Sequence, residues 1–77
     1  RRLGQVEAAE ARLRAVVSDT PAFVPAWLNL ANLLRADARL EAAAPAYRQV
    51  IALDPSHVPA RVALAEIDKA LGDIDAA

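Results

Sequence analysis

Apolar residues recur at steps of three and four over four separate stretches of this chain, the spacing of one face of an α-helix. Val6, Ala9, Leu13, Val16 and Val17 carry the first stretch and predict a helix from about Gln5 to Ser18. Glu7, Glu10, Arg12 and Arg14 fall largely off that face, where ion pairs are solvated and contribute little. Asp19-Thr20-Pro21 ends it, because the residue before proline avoids the α region. Trp27, Leu30, Ala31, Leu33 and Leu34 predict a second helix that Phe23 and Val24 lead into, with Pro25 in its first turn, running to about Ala36. Trp27 is expected to be the largest buried side chain and a core anchor. Leu40, Ala43, Tyr47, Val50 and Ile51 predict a third helix from Leu40 to about Leu53, before Asp54-Pro55-Ser56. Pro45 lies inside it and deprives the Glu41 carbonyl of its partner, near enough to the N-terminal end to be tolerated. Leu64, Ala65, Ile67 and Leu71 predict a fourth helix from Val58 to near Leu71, capped by Gly72, and Asp73-Ile74 reads as the opening of another. No stretch reads as a strand.

The four stretches are not independent. Shifted by 34 residues, the sequence matches itself: Glu7-Ala8-Ala9 returns as Glu41-Ala42-Ala43, Val24-Pro25-Ala26 as Val58-Pro59-Ala60, and Leu30-Ala31 as Leu64-Ala65. Pro21 returns as Pro55 and Val16 as Val50. About 15 of 43 aligned pairs are identical, where unrelated sequence this rich in Ala would give roughly five, so the repeat is internal and real.

Within residues 24–57, Trp27, Leu30, Ala31, Leu34, Ala43, Tyr47 and Pro55 fall at the offsets of one tetratricopeptide repeat, and the sequence resembles that family over essentially its whole length. The resemblance implies an all-α fold of antiparallel helix pairs stacked as a short right-handed superhelix. It divides the chain into the C-terminal part of one repeat (1–23), a complete repeat (24–57) and the start of a third (58–77). Gly4 and Gly72 fall where the family turns between paired helices, whereas the middle copy has Ala38 there. Ala38 in a left-handed conformation would cost ~1 kcal/mol. Arg61 replaces Trp27 and Asp68 replaces Leu34 in the last copy, both weaker core residues, as in a more solvated terminal repeat.

Composition narrows the function. The 77 residues are 56% hydrophobic but only 4% aromatic, so the core must be built from Ala, Leu and Val. Nine basic and ten acidic side chains give a net charge of −1, no electrostatic case for nucleic acid or an anionic membrane. Without cysteine there is no disulfide framework, thiolate nucleophile or thiolate metal site. No apolar run approaches the ~20 residues that span a bilayer. Arg1-Arg2-Leu3-Gly4 is not a signal peptide and begins in mid-pattern, so a fragment is expected, cytoplasmic by default. His57, the single histidine, is expected as a solvated loop residue. The carboxylate pairs Glu7/Glu10 and Asp73/Asp75 read as solvated charges or helix-terminus partners, and no catalytic residue, cofactor motif or metal ligand set stands out. Arg-over-Lys, Ala-rich usage points to a GC-rich bacterial genome.

The resemblance therefore implies a non-catalytic module for protein–protein interaction, with a protein or peptide partner on the concave face. Carried onto this sequence, that face presents Leu28, Asn29, Asn32 and Arg35 from the complete repeat and Val62, Glu66 and Lys69 from the next. Asparagine amides there suit the backbone of an extended peptide. The family's carboxylate clamp is a poor match, because Leu28, Pro59 and Ala63 stand where it uses polar or basic residues and Glu66 offsets Arg35 and Lys69. Two alternatives are a spacer within a larger enzyme, such as a glycosyl- or sulfotransferase, and self-association. The latter would use apolar stripes around Val6, Leu13 and Val17 at one end and Leu64, Leu71 and Ile74 at the other.

Overall fold

The computed structural model describes residues 2–76, with side chains for residues 4–72. Four helices follow one another, α1 (Arg2–Asp19), α2 (Val24–Ala36), α3 (Leu40–Leu53) and α4 (Val58–Ala76), and the described residues contain no strand. Each helix packs chiefly on its neighbours in sequence, α1 on α2, α2 on α3 and α3 on α4. The result is a slab of 37 × 35 × 16 Å.

The internal repeat is visible in the loops. Thr20 N–H donates to the Val16 carbonyl at 2.7 Å and Phe23 N–H to Thr20 at 3.0 Å. Asp54 N–H donates to Val50 at 2.8 Å and His57 N–H to Asp54 at 3.0 Å, the same bonds one repeat later. Val16 and Val50, Thr20 and Asp54, and Phe23 and His57 are equivalent in the 34-residue register. Similar sequence has produced one backbone path twice.

The tightest packing lies between α2 and α3. Leu30, Ala31 and Leu34 from α2 meet Ala43, Tyr47 and Val50 from α3, all at most 1% exposed. Fully burying a side chain such as Leu or Val contributes about 1.5–3 kcal/mol. Ala31, Ala43 and Ala60 are each 0% exposed, and their small size sets how closely the helices approach. Tyr47 is the largest fully buried side chain. Trp27, expected in that role, is only half-buried: it packs on the rim of the core and its indole N–H donates to the Pro21 carbonyl at 2.7 Å. An indole carries a donor that needs a partner, and the loop before α2 provides it.

The turn between α2 and α3 is made without glycine. Ala38 adopts φ 63°, its N–H donates to Arg35 at 3.0 Å, and Arg39 N–H reaches back to Leu34 at 2.9 Å. This pair of bonds is the Schellman arrangement that closes a helix through one left-handed residue. Gly4 and Gly72, expected at such turns, instead lie inside α1 and α4. A glycine within a helix costs only about 0.5–1 kcal/mol, and among the described residues no antiparallel helix follows α4 for a turn at Gly72 to serve. The helix expected to open at Asp73-Ile74 is a continuation of α4. Helix α3 runs unbroken through Pro45, which is exposed in its second turn.

The flank α4 buries also differs from the expected one. Ala60, Ala63 and Ile67 are buried, while Leu64 and Leu71 are half-buried and Ala65 is exposed. Leu64 and Ala65 repeat Leu30 and Ala31, which are sealed by α3. Helix α4 has no partner of that kind among the described residues, so it docks on its predecessors by its other side. Among the described side chains of α1 only Val17 is buried; Val6, Ala9 and Leu13 are half-buried and Val16 is 39% exposed. Val17 therefore drops out of the expected exposed stripe, and the side chain of Ile74 lies outside the described residues.

Candidate functional site

Helices α2 and α4 are linked by one ion pair, Arg35 Nη2 to Glu66 Oε1 at 3.6 Å, between two exposed side chains. Leu28, Asn32 and Arg35 sit at i, i+4 and i+7 on α2, one helical stripe. Val62, Glu66 and Lys69 are their register counterparts on α4. Together the two stripes make a mixed strip about two helices wide. Leu28 is half-buried and packs against the core, Val62 is 51% exposed, and Asn32, Arg35, Glu66 and Lys69 are exposed.

Asn32 is held from beneath. The Tyr47 hydroxyl crosses from α3 and donates to Asn32 Oδ1. Tyr47 itself is 0% exposed, so its ring fixes where that hydroxyl emerges. With the amide oxygen engaged, the two amide N–H donors of Asn32 remain available to a hydrogen-bond acceptor. Register alone did not reveal this bond.

Asn29 stands apart from this stripe. It is exposed, but its register counterpart Ala63 is 4% exposed against the preceding helices. Position 29 thus belongs to the flank of α2 that corresponds to α4's docking side. Arg35 and Glu66 neutralise each other at their separation, so the strip carries little net charge.

Two further polar contacts were not legible as interactions. Glu10, expected to be solvated, has a side chain only 14% exposed and accepts from Arg14 Nε at 2.9 Å and Arg39 Nη1 at 2.5 Å. Hydrogen bonds from Arg39 and then Arg14 hold its carboxyl below the usual carboxylate range. This ties α1 to the turn after α2. His57, expected as a free loop residue, caps α4: Ala60 N–H donates to His57 Nδ1 at 3.1 Å, satisfying a backbone donor that the helix leaves open.

Among the described residues, no group of three or more His, Cys, Asp or Glu side chains could hold a metal ion, and no helix is long and apolar enough to cross a membrane. No curated protein and no solved structure matches the chain significantly. A family model described as tetratricopeptide repeat matches residues 1–58 and again residues 28–77. Repeats of this kind generally mediate protein–protein interaction and are typically non-catalytic. With two overlapping matches spanning four stacked helices, the chain belongs to the tetratricopeptide repeat family.

Proposed function

We propose that this chain binds a segment of a partner protein across the strip formed by α2 and α4, the concave side of the array in the repeat division 1–23, 24–57 and 58–77. The observation that carries the reading is the anchored amide of Asn32. A flexible surface asparagine loses rotamer freedom on binding, whereas one already bonded to buried Tyr47 has lost part of it beforehand. Its outward N–H donors suit a backbone carbonyl, which every peptide offers. Leu28 and Val62 supply apolar contact on one side of it. Arg35, Glu66 and Lys69 supply charge of both signs on the other. Near-neutral charge on the strip favours a protein partner over nucleic acid or an anionic membrane.

The experiment is a titration of partner peptides followed by the fluorescence of Trp27, the single tryptophan, which sits half-exposed at the start of α2. The double substitution Asn32→Asp and Arg35→Ala is expected to weaken binding at least tenfold while leaving the thermal melt nearly unchanged, since an aspartate oxygen still accepts from the Tyr47 hydroxyl but lacks the outward N–H donors, and Arg35 is exposed. Binding undiminished in that variant would remove the strip from consideration.

A further inference from the structure

Helices α2 and α4 are entered along the same backbone path but are capped differently. Phe23 and His57 are register counterparts, and each is the last residue before its helix. Each backbone is fixed in the same way, Phe23 N–H donating to the Thr20 carbonyl and His57 N–H to the Asp54 carbonyl, both at 3.0 Å. The next donor separates them. The phenylalanine side chain offers no acceptor, so Ala26 N–H turns to the Phe23 carbonyl at 3.2 Å, and Trp27 N–H stands 3.5 Å from that same oxygen. At α4 the equivalent donor, Ala60 N–H, goes to His57 Nδ1 at 3.1 Å, and the His57 carbonyl is left to Arg61 N–H at 3.2 Å. Ala60 is 0% exposed, so its N–H needs a partner within the chain.

We infer that His57 is an acid-sensitive latch on the start of α4. A ring nitrogen that accepts from Ala60 carries no hydrogen, so neutral His57 holds its hydrogen on Nε2. Protonation places a hydrogen on Nδ1 as well, and two N–H groups then point at each other where one bond had been. Serine, threonine, aspartate and asparagine, the usual residues at this position, accept through oxygen and still do so at neutral pH. An imidazole changes charge between about pH 5 and 8. Charge acts in the same direction as geometry. A helix N-terminus carries partial positive charge, α4 has no acidic side chain in its first turn, and Arg61 already stands there. The other charged groups on the elements around the loop are Asp54, which closes α3 and accepts from Ser56 Oγ at 2.8 Å, and Asp19, which ends α1. The protonated form has a template in the same chain. With the ring turned away, α4 starts as α2 does: Ala60 N–H moves to the His57 carbonyl, and the bond from Arg61 N–H to that oxygen stretches. Acid thus changes the joint between α3 and α4, while the backbone bond from His57 to Asp54 stays in place.

NMR of the nitrogen-labelled chain, titrated from about pH 8 to about pH 5, tests this. At the upper end the ring is expected as a single tautomer with its hydrogen on Nε2. The amide resonances of Ala60 and Arg61 are expected to shift along the same curve as the ring. Those of Ala26 and Trp27, the equivalent amides of α2, are expected to stay fixed. Exchange of the Arg61 amide, corrected for the intrinsic pH dependence, is expected to quicken severalfold as the ring protonates. His57→Phe should show that quickened exchange already at the upper end and no response to pH. His57→Asn keeps an acceptor for Ala60 N–H, so it should silence the titration and retain the slow exchange of Arg61. A neutral ring with its hydrogen on Nδ1 overturns the inference, and that measurement needs no variant to fold. So do amides of Ala60 and Arg61 that ignore the titration of the ring, or that still follow it in pH when His57 is phenylalanine.

Discussion

At the scale of single residues, Ala38 shows what the fold demands of a position regardless of what occupies it. The turn from α2 to α3 needs a left-handed residue, and alanine takes it at φ 63°. For an L-residue that conformation costs about 1–2 kcal/mol, which two backbone bonds back to Leu34 and Arg35 offset. Ala38→Gly is therefore expected to raise stability by about 0.5–1 kcal/mol, the relief of strain less the extra entropy of an unfolded glycine. Urea unfolding measures it, with a higher midpoint and an unchanged slope. A lower midpoint would mean that the strain is not where the backbone puts it. The strain was readable as a conditional from the repeat, because glycine stands at the equivalent positions 4 and 72. The bond from Tyr47 to Asn32 was not. It joins residues 15 apart whose meeting depends on helix rotation, and apolar periodicity places a helix face only to within a residue or so. The fully buried Tyr47 and half-buried Trp27 exchange their expected ranks for a related reason. Periodicity says which side of a helix faces inward, but how deep a large side chain goes depends on where its polar atom finds a partner.

At the scale of the helices, α2 (Val24–Ala36) and α3 (Leu40–Leu53) agree with the limits expected from the sequence to within a residue or so. Proline and aspartate punctuate those ends, and such signals act locally whatever surrounds them. The ends of α1 and α4 departed from the reading because it relied on glycine, which permits a turn without requiring one. Whether a helix turns back at glycine depends on whether another helix waits to receive it, a tertiary fact. Gly72 separates the two possibilities. In the structure it lies inside α4 and an added Cβ meets nothing within 4 Å. Gly72→Ala is thus expected to increase helicity by circular dichroism and to stabilise the chain by up to about 1 kcal/mol. Were Gly72 a left-handed cap, the same change would destabilise by a similar amount, so the sign of the shift decides. The buried flank of α4 carries the same lesson. Ala60, Ala63 and Ile67 were not all legible as core because their burial comes from α2 and α3, whereas the Leu64 and Ala65 pattern reflects the template's other joint.

At the scale of the whole molecule, a one-dimensional stack has no single core to hold every helix. α2 and α3 each pack on a helix at either side, whereas α1 packs chiefly on α2 and α4 chiefly on α3. In such arrays the end units open at lower free energy than the middle ones. Among its described side chains α1 buries one, Val17, against five in α3, so polar fastening weighs heavily for α1. That fastening is Glu10, bonded to Arg39 from the α2–α3 turn. Its carboxyl is held below the usual range by Arg39 first and Arg14 second. A depressed folded value means that Glu10 stabilises the packed state fully above the unfolded carboxylate range. The contribution is lost as pH falls through the depressed folded value, because a protonated carboxyl no longer answers the guanidinium charge. Acidification should therefore release α1 before it loosens the α2–α3 pair. Hydrogen exchange, corrected for the intrinsic pH dependence of the amide rate, is expected to show protection falling in α1 near Glu10 while amides of Leu30, Ala31 and Val50 hold theirs. Glu10→Gln should show the loosened α1 at neutral pH and abolish most of the further change on acidification. Equal loss of protection along all four helices would instead mean that the slab opens as a unit, and that the contact between Glu10 and Arg39 adds nothing specific to α1.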